Sequence, residues 1–79
     1  MAYEEERKEF GAEIKRLRPA RGLNQVELAE IIDVAPNLVS QWEHGKTVPS
    51  ARYYISLQRI LGLKMLPPKS KMKVSADGE

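Results

Sequence analysis

Apolar residues fall at Phe10, Ile14 and Leu17, spaced by four and three, which draws one stripe along an α-helix. The stripe predicts a helix from about Glu6 to about Arg18, with residues 1–6 frayed. Pro19 sets the end, because it has no amide to donate to the Lys15 carbonyl and its ring crowds that carbonyl. Gly22 then supplies the left-handed turn on which helices close. A second helix is marked by its start. Asn24 can cap the amides of Val26 or Glu27, and Glu27 can reach back to the Asn24 amide, an asparagine form of the capping box. Leu23 and Leu28 stand at the staple positions on either side of it. Such features together contribute on the order of 1–2 kcal/mol, enough to fix where a short helix begins. Leu28, Ala29 and Ile32 give this helix a buried face, and it ends at about Ile32.

A third helix is predicted after Val34, with Pro36 at the first helical position, where a missing amide costs nothing. Val39 and Trp42 lie three apart and point inward, and Gly45 ends the segment. Thr47-Val48-Pro49-Ser50 reads as a loop, with Ser50 as cap for a fourth helix through Leu61, closed by Gly62. Tyr54, Leu57 and Leu61 share its buried face. Tyr53, Ile55 and Ile60 fall off that face, either as scattered exposed apolar residues or as a dimer contact. One further helical turn can follow Leu63, so the fold class is all-α, a compact domain of four to five helices. Pro67-Pro68 ends regular structure. The expected organisation is one domain over 1–66, with an acidic extension at 1–9, and a disordered basic tail over 67–79.

Composition narrows the function. The chain has 79 residues, 42% hydrophobic and 30% charged, which suits one globular domain. There is no run of the ~20 apolar residues that a membrane span needs, and the opening MAYEEERKEF is acidic, unlike a secretory leader. Cysteine is absent, which rules out a disulfide framework and a cysteine zinc site and fits the cytoplasm. The net charge of +2 is unevenly spread. Residues 1–13 carry five acids against Arg7 and Lys8, residues 14–63 carry seven Lys and Arg against four acids, and 64–79 carry four Lys against two acids. The basic part hints at a polyanionic partner. The lysines at 64, 69, 71 and 73 suit either a solvated tail or a DNA-binding arm.

An enzyme is not expected. The chain has one histidine, His44, no glycine-rich phosphate loop and no pair of carboxylates spaced for a common cavity. No metal, cofactor or small-molecule ligand is implied, and so small a core is poorly suited to enclosing the ~300 Å³ a ligand pocket needs.

Two short helices joined by a tight turn, the second polar on its outer face, have the geometry of a helix-turn-helix from about Gln25 to His44. The stretch GAEIKRLRPARGLNQVELAEIIDVAPNLVSQWEHGKTVPS…LQRILGL resembles the phage Cro and repressor family, the XRE type, over about residues 11–63. Its most specific parts are Gly22-Leu23-Asn24-Gln25, Glu27-Leu28-Ala29, Ser40, Trp42-Glu43 with Gly45, and Pro49-Ser50. The resemblance implies a repressor-like DNA-binding domain whose partner is double-stranded operator DNA, bound as a homodimer on a palindrome.

It also implies roles for residues. Pro36, Asn37, Ser40 and Gln41 on the outer face of the third helix would reach base edges. Asn37 and Gln41 are the best placed, since a carboxamide pairs bidentately with adenine; Leu38 or the Pro36 ring would meet a thymine methyl. Gln25 would contact a phosphate beside free helix-end amides, His44 and Lys46 would clamp the backbone after the third helix, and Arg16, Arg21 and Arg52 are looser phosphate candidates. Arg18 would pair with Glu43 as an architectural ion pair. Three positions depart from the family pattern: Asp33 stands where glycine often takes the left-handed turn, Pro36 replaces a frequent DNA donor, and Pro19 falls in what is usually the last turn of the first helix.

Plainer readings compete with several of these. Asn37 and Gln41 also suit a solvated helix face, Gln25 an ordinary first-turn residue, and His44 a solvated loop. Trp42, by its period with Val39, reads as core rather than as a stacking platform. Within the DNA-binding class a Cro-like repressor, a restriction-modification controller and an antitoxin share this pattern. From a different class, a helical protein-interaction module that has lost DNA binding shares it too.

Overall fold

The computed structural model describes residues 2–68, with side chains from Glu4 onward. The described residues form four α-helices and no strand: α1 (Ala2–Ala20), α2 (Gln25–Ile32), α3 (Pro36–Glu43) and α4 (Ala51–Leu61).

α1 begins at Ala2, four residues before the expected start at Glu6. Glu4 and Glu5 occupy its first turn, where carboxylates oppose the positive end of the helix dipole. The following turn is held from outside, because Arg7 donates its Nε to the Gly45 carbonyl at 2.9 Å. At the other end the helix runs two residues beyond Arg18, through Pro19 to Ala20. Proline in a last turn forfeits a single bond to Lys15, and the chain closes at once around it. The Gly22 amide donates to Pro19 O at 2.9 Å and the Leu23 amide to Arg18 O at 3.2 Å, with Gly22 left-handed at φ +76.

The capping box of α2 is complete. Glu27 N donates to Asn24 Oδ1 at 2.7 Å, and Asn24 N donates to a Glu27 carboxylate oxygen at 2.9 Å. α2 ends on Asp33 in the left-handed region, at φ 63 and ψ 53. α3 opens on Pro36 without a side-chain cap. α4 follows Ser50, which sits at the cap position but makes no side-chain bond to the helix, contrary to the expected capping. Gly62, at φ 73, closes α4.

The core gathers Phe10 and Ile14 of α1, Leu28, Ala29 and Ile32 of α2, Val39 and Trp42 of α3, Leu57 and Leu61 of α4, and Leu63. α3 is held between α1 and α2. Tyr53 and Ile60 pack partly against the core, with the Tyr53 ring 5.9 Å from that of Trp42; of the three residues read as off-face, only Ile55 is largely exposed. After Gly62 the described chain forms no fifth helix. Leu63 enters the core, and Pro67 and Pro68 are buried. The remainder of the expected tail, 69–79, lies outside the described residues. Among the described residues no helix is long and apolar enough to cross a membrane.

Candidate nucleic-acid interface

α3 presents one face and hides the other. Val39 and Trp42 are fully buried, and Glu43 is only 6% exposed. The remaining side of the helix carries Pro36 and Asn37, both exposed, and Ser40 and Gln41, both half-buried. Leu38 packs partly against the core, which leaves the Pro36 ring as the freer apolar group at the start of the helix.

Behind this face lies a three-way polar contact. Arg18 Nε donates to Glu43 Oε2 at 2.6 Å and Arg18 Nη2 to Glu43 Oε1 at 3.2 Å. The same guanidinium donates through Nη1 to the Leu23 carbonyl at 3.1 Å. Gln25 Nε2 supplies a further donor to Glu43 Oε1 at 2.9 Å. A buried carboxylate is costly unless its lone pairs are occupied, and here Arg18 of α1 and Gln25 of α2 occupy them, while the α1–α2 turn anchors Arg18 through the Leu23 carbonyl. The hydrogen bond from Glu43 holds the Arg18 guanidinium above its ordinary pKa, against a partial burial that works the other way.

The other candidates are spread around this centre. His44, exposed at the end of α3, has its Nδ1 2.8 Å from the Ser40 carbonyl oxygen; since a carbonyl only accepts, Nδ1 carries the proton and Nε2 is left for other partners. Lys46 is exposed two residues later. Arg16 forms an exposed pair with Glu13 on α1, Nη2 to Oε2 at 2.6 Å. Its hydrogen bond lowers the Glu13 pKa and raises that of Arg16. Arg21 donates Nε to the Leu61 carbonyl at 3.1 Å, which ties it to the end of α4. Arg52 lies over the Tyr53 ring at 5.7 Å. The structure thus gathers Arg18, Gln25 and Glu43 into one cluster, and it sets Arg16, Arg21 and Arg52 on separate elements with partners of their own.

Two further features bear on the site, one from the fold and one from the sequence. At Gly11 and Gly45, α1 and the end of α3 lie too close for a side chain. A Cβ on Gly11 would collide with the Trp42 carbonyl oxygen, and one on Gly45 would lie 2.8 Å from the Lys8 Cα. The signal for Gly11 was a glycine in a helix interior, where it costs ~0.5–1 kcal/mol relative to alanine and calls for a packing reason. The second feature is an omission: from Gly22 to Gly45 the chain contains no Lys and no Arg, but has Glu27, Glu30, Asp33 and Glu43. Among the described residues no group of His, Cys, Asp or Glu is arranged to hold a metal ion.

Known proteins place this arrangement. The helix-turn-helix family matches residues 14–66. Among curated proteins, endothelial differentiation-related factor 1 of Rattus norvegicus is 33% identical over 57 residues, 72% of this chain and 38% of that protein. Multiprotein-bridging factor 1 of Candida albicans is 33% identical over 55 residues, 70% of this chain and 36% of that protein. Multiprotein-bridging factor 1a of Arabidopsis thaliana is 35% identical over 52 residues, 66% of this chain and 37% of that protein. The chain therefore spans less than two fifths of the length of these relatives.

Proposed function

This chain belongs to the helix-turn-helix family of DNA-binding regulators, and from that premise we propose that it is a sequence-specific transcriptional repressor that lays α3 in the major groove. The carrying observation is the brace behind α3: Val39, Trp42 and Glu43 face inward, and Asn37 and Gln41 are left on the open side. Asn37 and Gln41 read base edges, with Pro36 and Ser40 beside them. Gln25, His44 and Lys46 hold the phosphate backbone, with Arg16 and Arg52 at the periphery. Arg21, tethered to Leu61, is the least free of the phosphate candidates. Repression is by occupancy: a homodimer on a palindromic operator excludes polymerase.

Selection from random duplexes followed by footprinting tests this reading. The expected product is an inverted repeat with half-sites about one helical turn apart, ~34–36 Å. A single unrepeated site would remove the homodimer, and failure to enrich any sequence would remove base reading.

A second reading draws on a different surface. α2 exposes Val26 at 50% and Ile31 at 54%, beside Glu27, Glu30 and Asp33. An apolar and acidic face suits a basic protein better than a phosphate backbone, and two of the relatives are named as multiprotein-bridging factors. On this reading the chain docks a protein through α2 while α3 holds DNA. Val26→Ser with Ile31→Ser would then abolish a ternary complex with the partner and leave DNA affinity unchanged. Loss of DNA affinity in that variant would count against it.

A further inference from the structure

Gln25 is the first residue of α2 and half-buried. Its Nε2 lies 2.9 Å from Glu43 Oε1. A carboxylate only accepts hydrogen bonds, so this contact fixes which end of the carboxamide faces Glu43: the nitrogen, not the oxygen. The Glu43 carboxylate cannot itself swing away, since Arg18 grips both of its oxygens and is anchored in turn on the Leu23 carbonyl. One of the two Nε2 hydrogens is therefore committed inward. The side chain, otherwise free about three bonds, is ordered before any ligand arrives.

We propose that Glu43 is a positioning residue for DNA binding, holding one Nε2 hydrogen of Gln25 so that the amide's second hydrogen is aimed at a backbone phosphate. This rests on the DNA-binding reading above. The ion pair of the fold and the phosphate contact are then one device, because the carboxylate that neutralises Arg18 also sets the Gln25 rotamer. The neighbouring donors suit the same target. The Glu27 amide is taken by Asn24, whereas Gln25 and Val26 stand in the first turn, where amides have no partner within the helix.

The test is a binding cycle with the full chain and its selected operator, read by fluorescence anisotropy over a series of salt concentrations. Gln25→Ala weakens binding about tenfold, the scale of one hydrogen bond to a charged group. It leaves the slope of log affinity against log salt unchanged, because a neutral amide releases no counterion. Arg18→Met with Glu43→Met removes the ion pair as a unit and keeps the amide unanchored; it weakens binding by a similar factor, and adding Gln25→Ala to it changes affinity less than about twofold. Arg18→Met with Glu43→Gln restores an acceptor for Gln25 and recovers most of the loss.

If the folded Arg18→Met, Glu43→Met chain binds like the parent, or if Gln25→Ala costs the same in both backgrounds, the positioning role is overturned. A measurement on the parent chain stands apart from the folding of any variant. In free protein one side-chain amide proton of Gln25, the one held by Glu43, should be slow to exchange with solvent and the other fast, and the fast one should shift on addition of operator. Two protons that exchange as in a free glutamine would overturn the role. A parent chain that binds no duplex overturns the DNA reading and this role together, whereas a parent that binds with uncoupled variants overturns the role alone.

Discussion

The backbone of Gly11 lies directly against the carbonyl oxygen of Trp42, so closely that a Cβ on Gly11 would collide with it and come within 2.8 Å of the Glu43 carbonyl oxygen. Both obstacles are backbone atoms of α3, which cannot turn aside as a side chain can. Helix propensity alone makes alanine better than glycine by ~0.5–1 kcal/mol. Packing reverses the sign here. Gly11→Ala is expected to destabilise the domain by about 1–3 kcal/mol, as overpacked cores do. Each kcal/mol moves the midpoint of a domain this size by about 4–8 °C, so a thermal melt checks it; an unchanged or raised melting temperature would refute the close approach.

What the sequence discloses and what it withholds divide along physical lines. The start of α2 is written in four neighbouring residues, Leu23, Asn24, Glu27 and Leu28, because capping is local chemistry. The inward faces of α2 and α3 follow from spacing for the same reason. Arg18 with Glu43 was suggested only by family resemblance. The distance between them in sequence holds no local signal, and the structure supplies the 2.6 Å contact. Gln25 shows the limit of reading by position. A glutamine opening a helix looks outward, and only the fold brings Glu43 beneath it. The bond from Arg7 to the Gly45 carbonyl is hidden likewise, since its partner lies across the fold.

Removing one partner of the Arg18–Glu43 pair leaves the other poorly compensated. The Glu43 side chain is 1% exposed and that of Arg18 14%. Arg18→Ala is expected to cost about 3–5 kcal/mol, the range for a broken buried pair. Arg18→Met with Glu43→Met should cost much less, because no unpaired charge remains. Urea unfolding of the two variants measures the difference; equal losses would mean that the charge is not what matters.

Asp33 occupies the left-handed region at φ 63, the only described non-glycine residue with a positive φ. An L-residue pays roughly 1–2 kcal/mol for that conformation, Asp somewhat less than most. Asp33→Gly relieves the strain but frees the unfolded chain, which offsets part of the gain. The net expectation is a stabilisation of up to about 1 kcal/mol, with Asp33→Ala destabilising. Denaturant midpoints that order Ala above Gly would contradict this.

Base contacts and phosphate contacts separate by how mutants discriminate. Asn37→Ala and Gln41→Ala are expected to relax preference at individual base pairs by about 1–3 kcal/mol. Lys46→Ala should weaken all duplexes alike and lower the salt slope by about 0.9. Binding isotherms on operator and on single-mismatch duplexes distinguish the two patterns. Uniform losses in all three variants would remove the assigned division.

Glu13 and Arg16 offer a pH test. The hydrogen bond from Arg16 holds the Glu13 carboxyl below its usual range in the folded chain. The unfolded state therefore binds this proton more readily. Whatever stability the pair adds is present above the ordinary carboxylate range and fades as pH falls through the folded value. Because the pair is exposed, the effect on stability is small. The local sign is still measurable: Arg16→Ala should raise the Glu13 titration midpoint followed by carboxyl carbon NMR, and no movement would show that the pair does not persist in solution.

The stretch from Gly22 to Gly45 that contains α2 and α3 has no lysine and no arginine. If α3 enters a groove, attraction and discrimination are assigned to different parts of the chain: Lys46 and the arginines of α1 and α4 draw the protein toward any duplex, and a helix without a basic residue decides whether it stays. Transplanted without its flanks, the helix pair would have little to hold it near DNA. Left in place, it would lose stray duplexes to rising salt sooner than its own site, because hydrogen bonds to bases displace few ions.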